Sequence, residues 1–147
     1  MKNQKFIHLA VIAGLVLAAF HNIFQNGFIM DDYDFIVHWP LIKDWSNLYR
    51  FFIWYIPPDG QPGVFSPLKT FFHSLTYHLF GENPFGYHAV ALLVHLISIY
   101  FVYRIAEFLT RQPLVAFISA LLFGLHPVQV EAITYLSASI DMIGIMF

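Results

Sequence analysis

The sequence predicts an all-α fold: a polytopic membrane helix bundle with about four spans and an extracytoplasmic loop carrying interfacial amphipathic helices. Composition is the first reason. Hydrophobic residues make up 59% of the 147 and charged residues only 11%, against about 45–50% and about 25% in ordinary soluble chains. A domain of about 150 residues buries only about 70% of its unfolded surface, so this apolar excess cannot all be hidden from water. The second reason is that the excess is gathered into long charge-free runs of spanning length. The whole chain, 1–147, reads as a single transmembrane module, with spans near 6–24, 86–106, 113–127 and 131–147 and an outer loop near 25–84.

The first run, Phe6 to Phe24, is 19 residues broken only by His8, His21 and Asn22, and Lys2 and Lys5 precede it. A cleavable signal has a shorter apolar centre, about 7–15 residues, and a small-x-small site. Here the run ends in Asn22-Ile23-Phe24-Gln25-Asn26, so it is expected to stay as a span with its Lys-bearing end in the cytoplasm. The outer loop follows. Asp31, Asp32 and Asp34 crowd its start, and Leu41, Trp45, Leu48, Phe52 and Tyr55 then recur at helical spacing with Lys43, Asp44, Ser46, Asn47 and Arg50 opposite. That pattern predicts an amphipathic helix in the headgroup zone. Pro57 to Gly63 breaks it, and Pro67 to Phe80 is a second helical stretch.

Three apolar stretches complete the chain: Phe85–Tyr103, Pro113–Val130, and Ala132–Phe147 with the lone charge Asp141. If Lys2 and Lys5 are inside, the second span returns inward, and Arg104 and Arg111 flank an inner connection as the positive-inside rule requires. Both ends of the chain are then cytoplasmic. The final Ile-Gly-Ile-Met-Phe has no polar flank, so the last span reads as cut off. The expected setting is a bacterial inner membrane or the endoplasmic reticulum.

Several function classes lose their footing. A net charge of −2 supplies no basic surface for nucleic acid. With no Cys there is no disulfide, thiolate nucleophile or Cys-ligated metal. A Gly-rich phosphate loop and a Ser nucleophile elbow are both missing. His88 and His95 lie seven apart on one helix face, but no His pair has the spacing or adjacent Glu of a metallopeptidase helix. Single His residues in aromatic-rich spans are ordinarily hydrogen-bonded structural groups, and no metal site is assigned.

The acids are the candidates for chemistry. A carboxylate near the hydrocarbon boundary is costly when it faces a bundle interior, and Asp31 or Asp32 could serve as a general base or hold a divalent cation. On spacing alone, a solvated cluster that caps the following helix is the plainer reading. Glu131 stands at the outer turn between the third and fourth spans, near His126. Asp141 follows on the same face, nearly three helical turns deeper.

Together these residues resemble the amino-terminal half of the polytopic GT-C glycosyltransferases, above all the transmembrane, tetratricopeptide-repeat O-mannosyltransferase-like proteins and their bacterial relatives. Asn26-Gly27-Phe28-Ile29-Met30-Asp31-Asp32-Tyr33-Asp34 is similar to the family's Asn-Gly-Phe-x-x-Asp-Asp. Ser66-Pro67-Leu68, Leu79-Phe80-Gly81-Glu82-Asn83-Pro84-Phe85-Gly86-Tyr87-His88 and Leu92-Leu93-Val94-His95 are similar to its second block. Phe123-Gly124-Leu125-His126-Pro127-Val128-Gln129-Val130-Glu131-Ala132 is similar to its Phe-x-x-His-Pro-x-x-x-Glu-Ala segment.

The resemblance implies inverting transfer of a sugar from a polyprenyl-phosphate carrier to an acceptor on the extracytoplasmic side. By position it makes Asp31, ahead of Asp32, the catalytic base, and Glu131 a second acid near the donor phosphate or the acceptor. His126 and Asp141 are the expected substrate-binding residues, and no cofactor is assigned. The family often has a basic residue where Ser66 stands, Asn where Ala91 stands, and a basic residue just before Asp141. It also has at least eight spans. The chain is therefore expected to be incomplete and inactive alone, needing later spans, or else to be a non-catalytic GT-C-derived subunit of a larger membrane complex. The expected partners are the lipid bilayer, a polyprenyl-phosphate sugar if the chain is active, and other membrane subunits if it is structural.

Overall fold

The computed structural model describes residues 2–53 and 65–139, which form helices joined by short turns and extended links, with no strand among the described residues. Helix α1 (Lys2–Phe20) runs into a 3-10 turn, His21–Gln25. After the outer segment come α2 (Pro67–Phe80), α3 (Pro84–Thr110), α4 (Pro113–Leu125) and the short α5 (Gln129–Thr134) and α6 (Leu136–Ser139). The starts of α2, α3 and α4 have one cause. Each has Pro at its first position, where φ is already helical and a missing N–H costs nothing. Asn83 reinforces α3 by accepting the Phe85 N–H at 3.1 Å. Arg111, left-handed at φ 57°, ends α3 with its N–H on the Glu107 carbonyl.

Two helices are long and apolar enough to cross a membrane: residues 3–25, and α3 with 27 residues. The other expected spans differ. Helix α4 has 13 residues, about 20 Å of rise, against a hydrocarbon core of about 30 Å. It stops because Pro127 has no N–H to give and drives the residue before it out of the helical region. His126 is indeed extended, at φ −65° and ψ 132°. The described part of the span expected at 131–147 is broken at Tyr135 (φ −91°, ψ 100°) into α5 and α6. The rest of it lies outside the described residues.

Helices α1, α3 and α4 form the body of the molecule around Ile12, Val16, Phe20, Leu92, Ile99, Tyr103, Ala116 and Ala120. Helices α1 and α3 are antiparallel. Lys5 pairs with Glu107 at 2.8 Å and His8 meets the Tyr103 hydroxyl at 3.2 Å at one end, while the Phe24 and Phe85 rings lie 5.0 Å apart at the other. Outward faces remain apolar, with Leu93, Ile97, Phe101 and Ile105 on α3 and Leu114, Ile118 and Leu122 on α4 all exposed. Ridges of that length are a surface for lipid rather than water.

The end of α4 exposes a bonding problem that His95 solves. Carbonyls in the last turn of a helix have no partner within it. Val128, four residues after Gly124, instead gives its N–H to the His126 ring at 3.2 Å. His95, fully buried on α3, reaches the Gly124 carbonyl with Nε2 at 3.1 Å. A carbonyl only accepts, so Nε2 carries the proton. His95→Ala strands that carbonyl and is expected to cost about 1–3 kcal/mol, read as earlier thermal unfolding in detergent. An unchanged unfolding midpoint would show that the bond contributes nothing.

The outer segment departs most from expectation. Between Leu41 and Tyr55 there is no single amphipathic α-helix but two 3-10 segments, Pro40–Lys43 and Trp45–Phe52; Tyr55 lies outside the described residues. Asp44 divides them. Its backbone is extended (φ −133°, ψ 120°) and its side chain accepts the Ser46 N–H at 2.8 Å, which caps the second segment. That bond also holds the Asp44 carboxyl below its usual range, backbone N–H first and hydroxyl second. Ile42 is fully buried and its carbonyl accepts the Ser74 hydroxyl at 2.8 Å. The segment thus docks on α2. A second core forms beneath it from Ile36, Ile42, Tyr87, Ala91 and Leu136.

Candidate functional site

The acidic turn after α1 folds around Asp32. Its N–H reaches the Ile29 carbonyl at 2.9 Å, while its Oδ2 accepts the Ile29 N–H at 3.1 Å. Within this closed loop Met30 is forced to φ 46°, a left-handed conformation costly for a side chain other than Gly. The other carboxylate oxygen, Oδ1, accepts both the N–H and the hydroxyl of Ser137, each at 2.7 Å. Asp32 is wholly buried and Asp31, its neighbour, is exposed. A helical turn with an i+5 bond follows over Tyr33–Val37, closed by the His38 N–H on the Tyr33 carbonyl at 2.7 Å.

These bonds bring the first outer turn against the segment after α4, 105 residues away in sequence. The Tyr135 phenol lies against the Asp31 carboxyl. Glu131 is one helical turn before Tyr135, whose N–H bonds the Glu131 carbonyl at 2.9 Å, and its side chain is exposed. His126 is exposed as well, and its Nδ1 is occupied by the Val128 N–H. Asp141 lies outside the described residues. So Asp31, Asp32 and the segment carrying Glu131 come to one end of the bundle, with His126 at the entry to α5.

Three neighbours were not singled out by sequence. Ser137 and Tyr135 sit in a stretch with no motif of its own. His88 appeared only as a structural histidine, yet it is fully buried beside Asp32, and neither ring nitrogen has a hydrogen-bond partner. No group of three or more metal-ligating side chains converges among the described residues. The adjacency of Asp32 and Ser137 is a contact between remote parts of the chain, and periodicity carries no signal for it.

Deeper in the same region His73 on α2 is almost completely buried. The Phe35 and Leu136 carbonyls face its ring. Burial, helped by the positive charge of Lys69, pushes His73 down to about 3 from 6.5. Below pH 6.5 the unfolded chain takes up a proton that the folded chain refuses, so stability falls as pH falls through that window. At about 1.4 kcal/mol per unit, acidification from pH 6.5 to 5 should cost about 2 kcal/mol through this residue. Thermal unfolding across that range should show the loss in the native chain and a smaller one in His73→Gln. Equal slopes would mean that His73 titrates normally.

The fold and site define a helical protein with two helices apolar and long enough to cross a membrane and an acidic turn bonded to Ser137, shortly after its His-Pro-x-x-x-Glu stretch. Residues 61–147, more than half of the chain, match the family of dolichyl-phosphate-mannose-protein mannosyltransferases, and the chain belongs to that family. It is similar to a protein O-mannosyl-transferase of Caenorhabditis elegans, 23% identical over 99% of this chain and 22% of the relative. A Drosophila melanogaster protein O-mannosyl-transferase is 27% identical over 97% of this chain and 17% of its own length. A human one is 26% identical over the whole chain and 16% of its own length. The chain thus spans about a fifth of the curated relatives it matches. No solved structure matches it. Family and apolar helices together place the chain in a membrane.

Proposed function

We propose that the chain is the amino-terminal module of a GT-C-type glycosyltransferase that takes a sugar, mannose by the family's description, from a polyprenyl-phosphate carrier. The observation that supports this reading is the pair of bonds from Ser137 to Asp32, which ties the turn bearing Asp31 to the segment that follows Glu131. Asp31 is the base. Its exposed carboxylate takes the proton of an acceptor hydroxyl while that oxygen attacks the anomeric carbon. The bond from that carbon to the carrier phosphate breaks on the opposite face, and the phosphate leaves with the electron pair. The result is inversion. Glu131 sits near the donor phosphate or the acceptor, and His126 and Asp141 contact substrate. The developing phosphate charge needs cationic stabilisation, which this reading draws from spans beyond the module.

In the same reading the chain crosses the membrane four times. The α1 amino end is cytoplasmic, α4 with its extended His126-Pro127 exit makes the third crossing, and residues from 131 onward make the fourth. The pairing of Lys5 with Glu107, next to Arg104, supports placing those charges on one side. Two measurements test the proposal. Cysteines introduced at Ser46 and Leu109 should react with an impermeant reagent from opposite sides. The full-length protein, reconstituted with polyprenyl-phosphate mannose, should mannosylate a hydroxyl-bearing peptide added from the Ser46 side. Labelling from one side alone sinks the topology, and absence of transfer leaves the non-catalytic subunit as the better reading.

A further inference from the structure

We infer that Asp32 is a positioning residue, a latch that joins the first outer turn to Ser137 and so sets where the Asp31 carboxylate stands. The adjacent aspartates look equivalent in sequence, but their surroundings divide them. A base must offer a lone pair to an incoming hydroxyl within about 2.6–3.2 Å. The lone pairs of Asp32 are already engaged by three donors, the Ile29 N–H, the Ser137 N–H and the Ser137 hydroxyl, and none of its surface is exposed. An acceptor cannot reach it without undoing the fold there.

The latch works on two parts of the chain at once. Within its own turn Asp32 bonds both the N–H and the carbonyl of Ile29, and this pair of bonds spans Met30 at φ 46°. Met30 is 77% exposed, so side-chain packing does not hold it in that conformation. Across the molecule, Oδ1 fixes the first residues of α6, immediately after Tyr135. Asp31 follows Met30 directly and lies against Tyr135. Loss of the latch therefore frees both the turn that presents Asp31 and the segment that faces it. Charge-assisted bonds to a buried carboxylate are the strong kind, which suits a joint under backbone strain.

The catalytic half of this inference rests on the function proposed above; the structural half does not. The test uses the full-length protein with polyprenyl-phosphate mannose and a hydroxyl-bearing peptide, together with spin labels on Met30→Cys and Val130→Cys. Ser137→Ala removes one donor. It should broaden the distance distribution between the labels and lower kcat about tenfold with KM for the donor unchanged. Ser137→Thr restores the hydroxyl and should rescue both. Asp32→Asn should broaden the distribution further, whereas Asp31→Asn should abolish transfer and leave it sharp. The latch is overturned if Ser137→Ala and Asp32→Asn both leave the distances unchanged. It is equally overturned if Asp32→Asn abolishes transfer with the distances intact, which would make Asp32 the base. If Asp31→Asn remains active, the proposed function fails, while the distance measurement still decides the latch.

Discussion

Replacing Asp31 by Asn is expected to reduce sugar transfer by the full-length protein at least about a hundredfold, with carrier-lipid binding nearly unchanged. Asn preserves the size and planarity of the side chain but has no basic oxygen to receive the acceptor proton. The loss therefore belongs to the chemical step, where general bases contribute about 10²–10⁴, and kcat falls while the donor KM holds. Asp31 is exposed in the turn after the first helix, so the substitution strands no buried partner. Steady-state kinetics with polyprenyl-phosphate mannose, beside a binding assay with the same lipid, make the comparison. Wild-type rates from Asp31→Asn would mean that the acids merely shape a loop.

The second large effect is structural. Gly86→Val is expected to destabilise the chain by about 3 kcal/mol or more, at the upper end of overpacking costs. A Cβ on Gly86 would overlap the Cβ and Cγ of Phe80, where α2 ends against the start of α3. Turning Phe80 about its Cα–Cβ bond moves Cγ but leaves Cβ in place, so the backbone corner at Gly81-Glu82-Asn83 has to open. That shift pulls on the bond from the Tyr87 hydroxyl to the Gly81 carbonyl, 3.1 Å, and on buried His88 one residue further. Gly124 offers a contrast. There the nearest atom is the Cδ1 tip of Ile99 at 2.8 Å, which a change of rotamer can clear, so Gly124→Ala should cost much less. Thermal unfolding of both variants decides it, and equal midpoints would refute the distinction.

Much of this was legible in the residues. Pro67, Pro84 and Pro113 mark three helix starts because a prolyl ring fixes φ wherever it stands. The runs after Lys5 and Phe85 announce the two long helices by apolar length alone. The acids were legible as a cluster but not as individuals, since two adjacent residues in a turn have no periodicity to say which points inward. Burial and the bonds of Asp32 to Ile29 and Ser137 separate them. The amphipathic pattern from Leu41 is carried by two 3-10 segments rather than one continuous helix. Asp44 competes for the Ser46 N–H, and the local bond wins over helical propensity, as short acidic side chains do. The α-helix within the third apolar run stops at Leu125 because the run continues through His126-Pro127, where composition stays favourable but the backbone cannot continue.

The pairing of α1 with the rest of the molecule also fixes an order of assembly. Lys5 and His8 find Glu107 and Tyr103, partners 102 and 95 residues later in the chain. At roughly 5–20 residues per second of synthesis, α1 waits about 5–20 s in the bilayer before either partner exists. It has to be retained on its own hydropathy, which its length permits. Helix α4 is in the opposite position: too short to be held by lipid alone, it emerges directly after α3 across the two-residue link Arg111-Gln112. In the four-span reading proposed above, it enters as the second arm of a hairpin whose first arm is already anchored. In that reading, weakening α3 would be felt first as a failure of α4 to insert, with α1 left in the membrane and nothing to dock against.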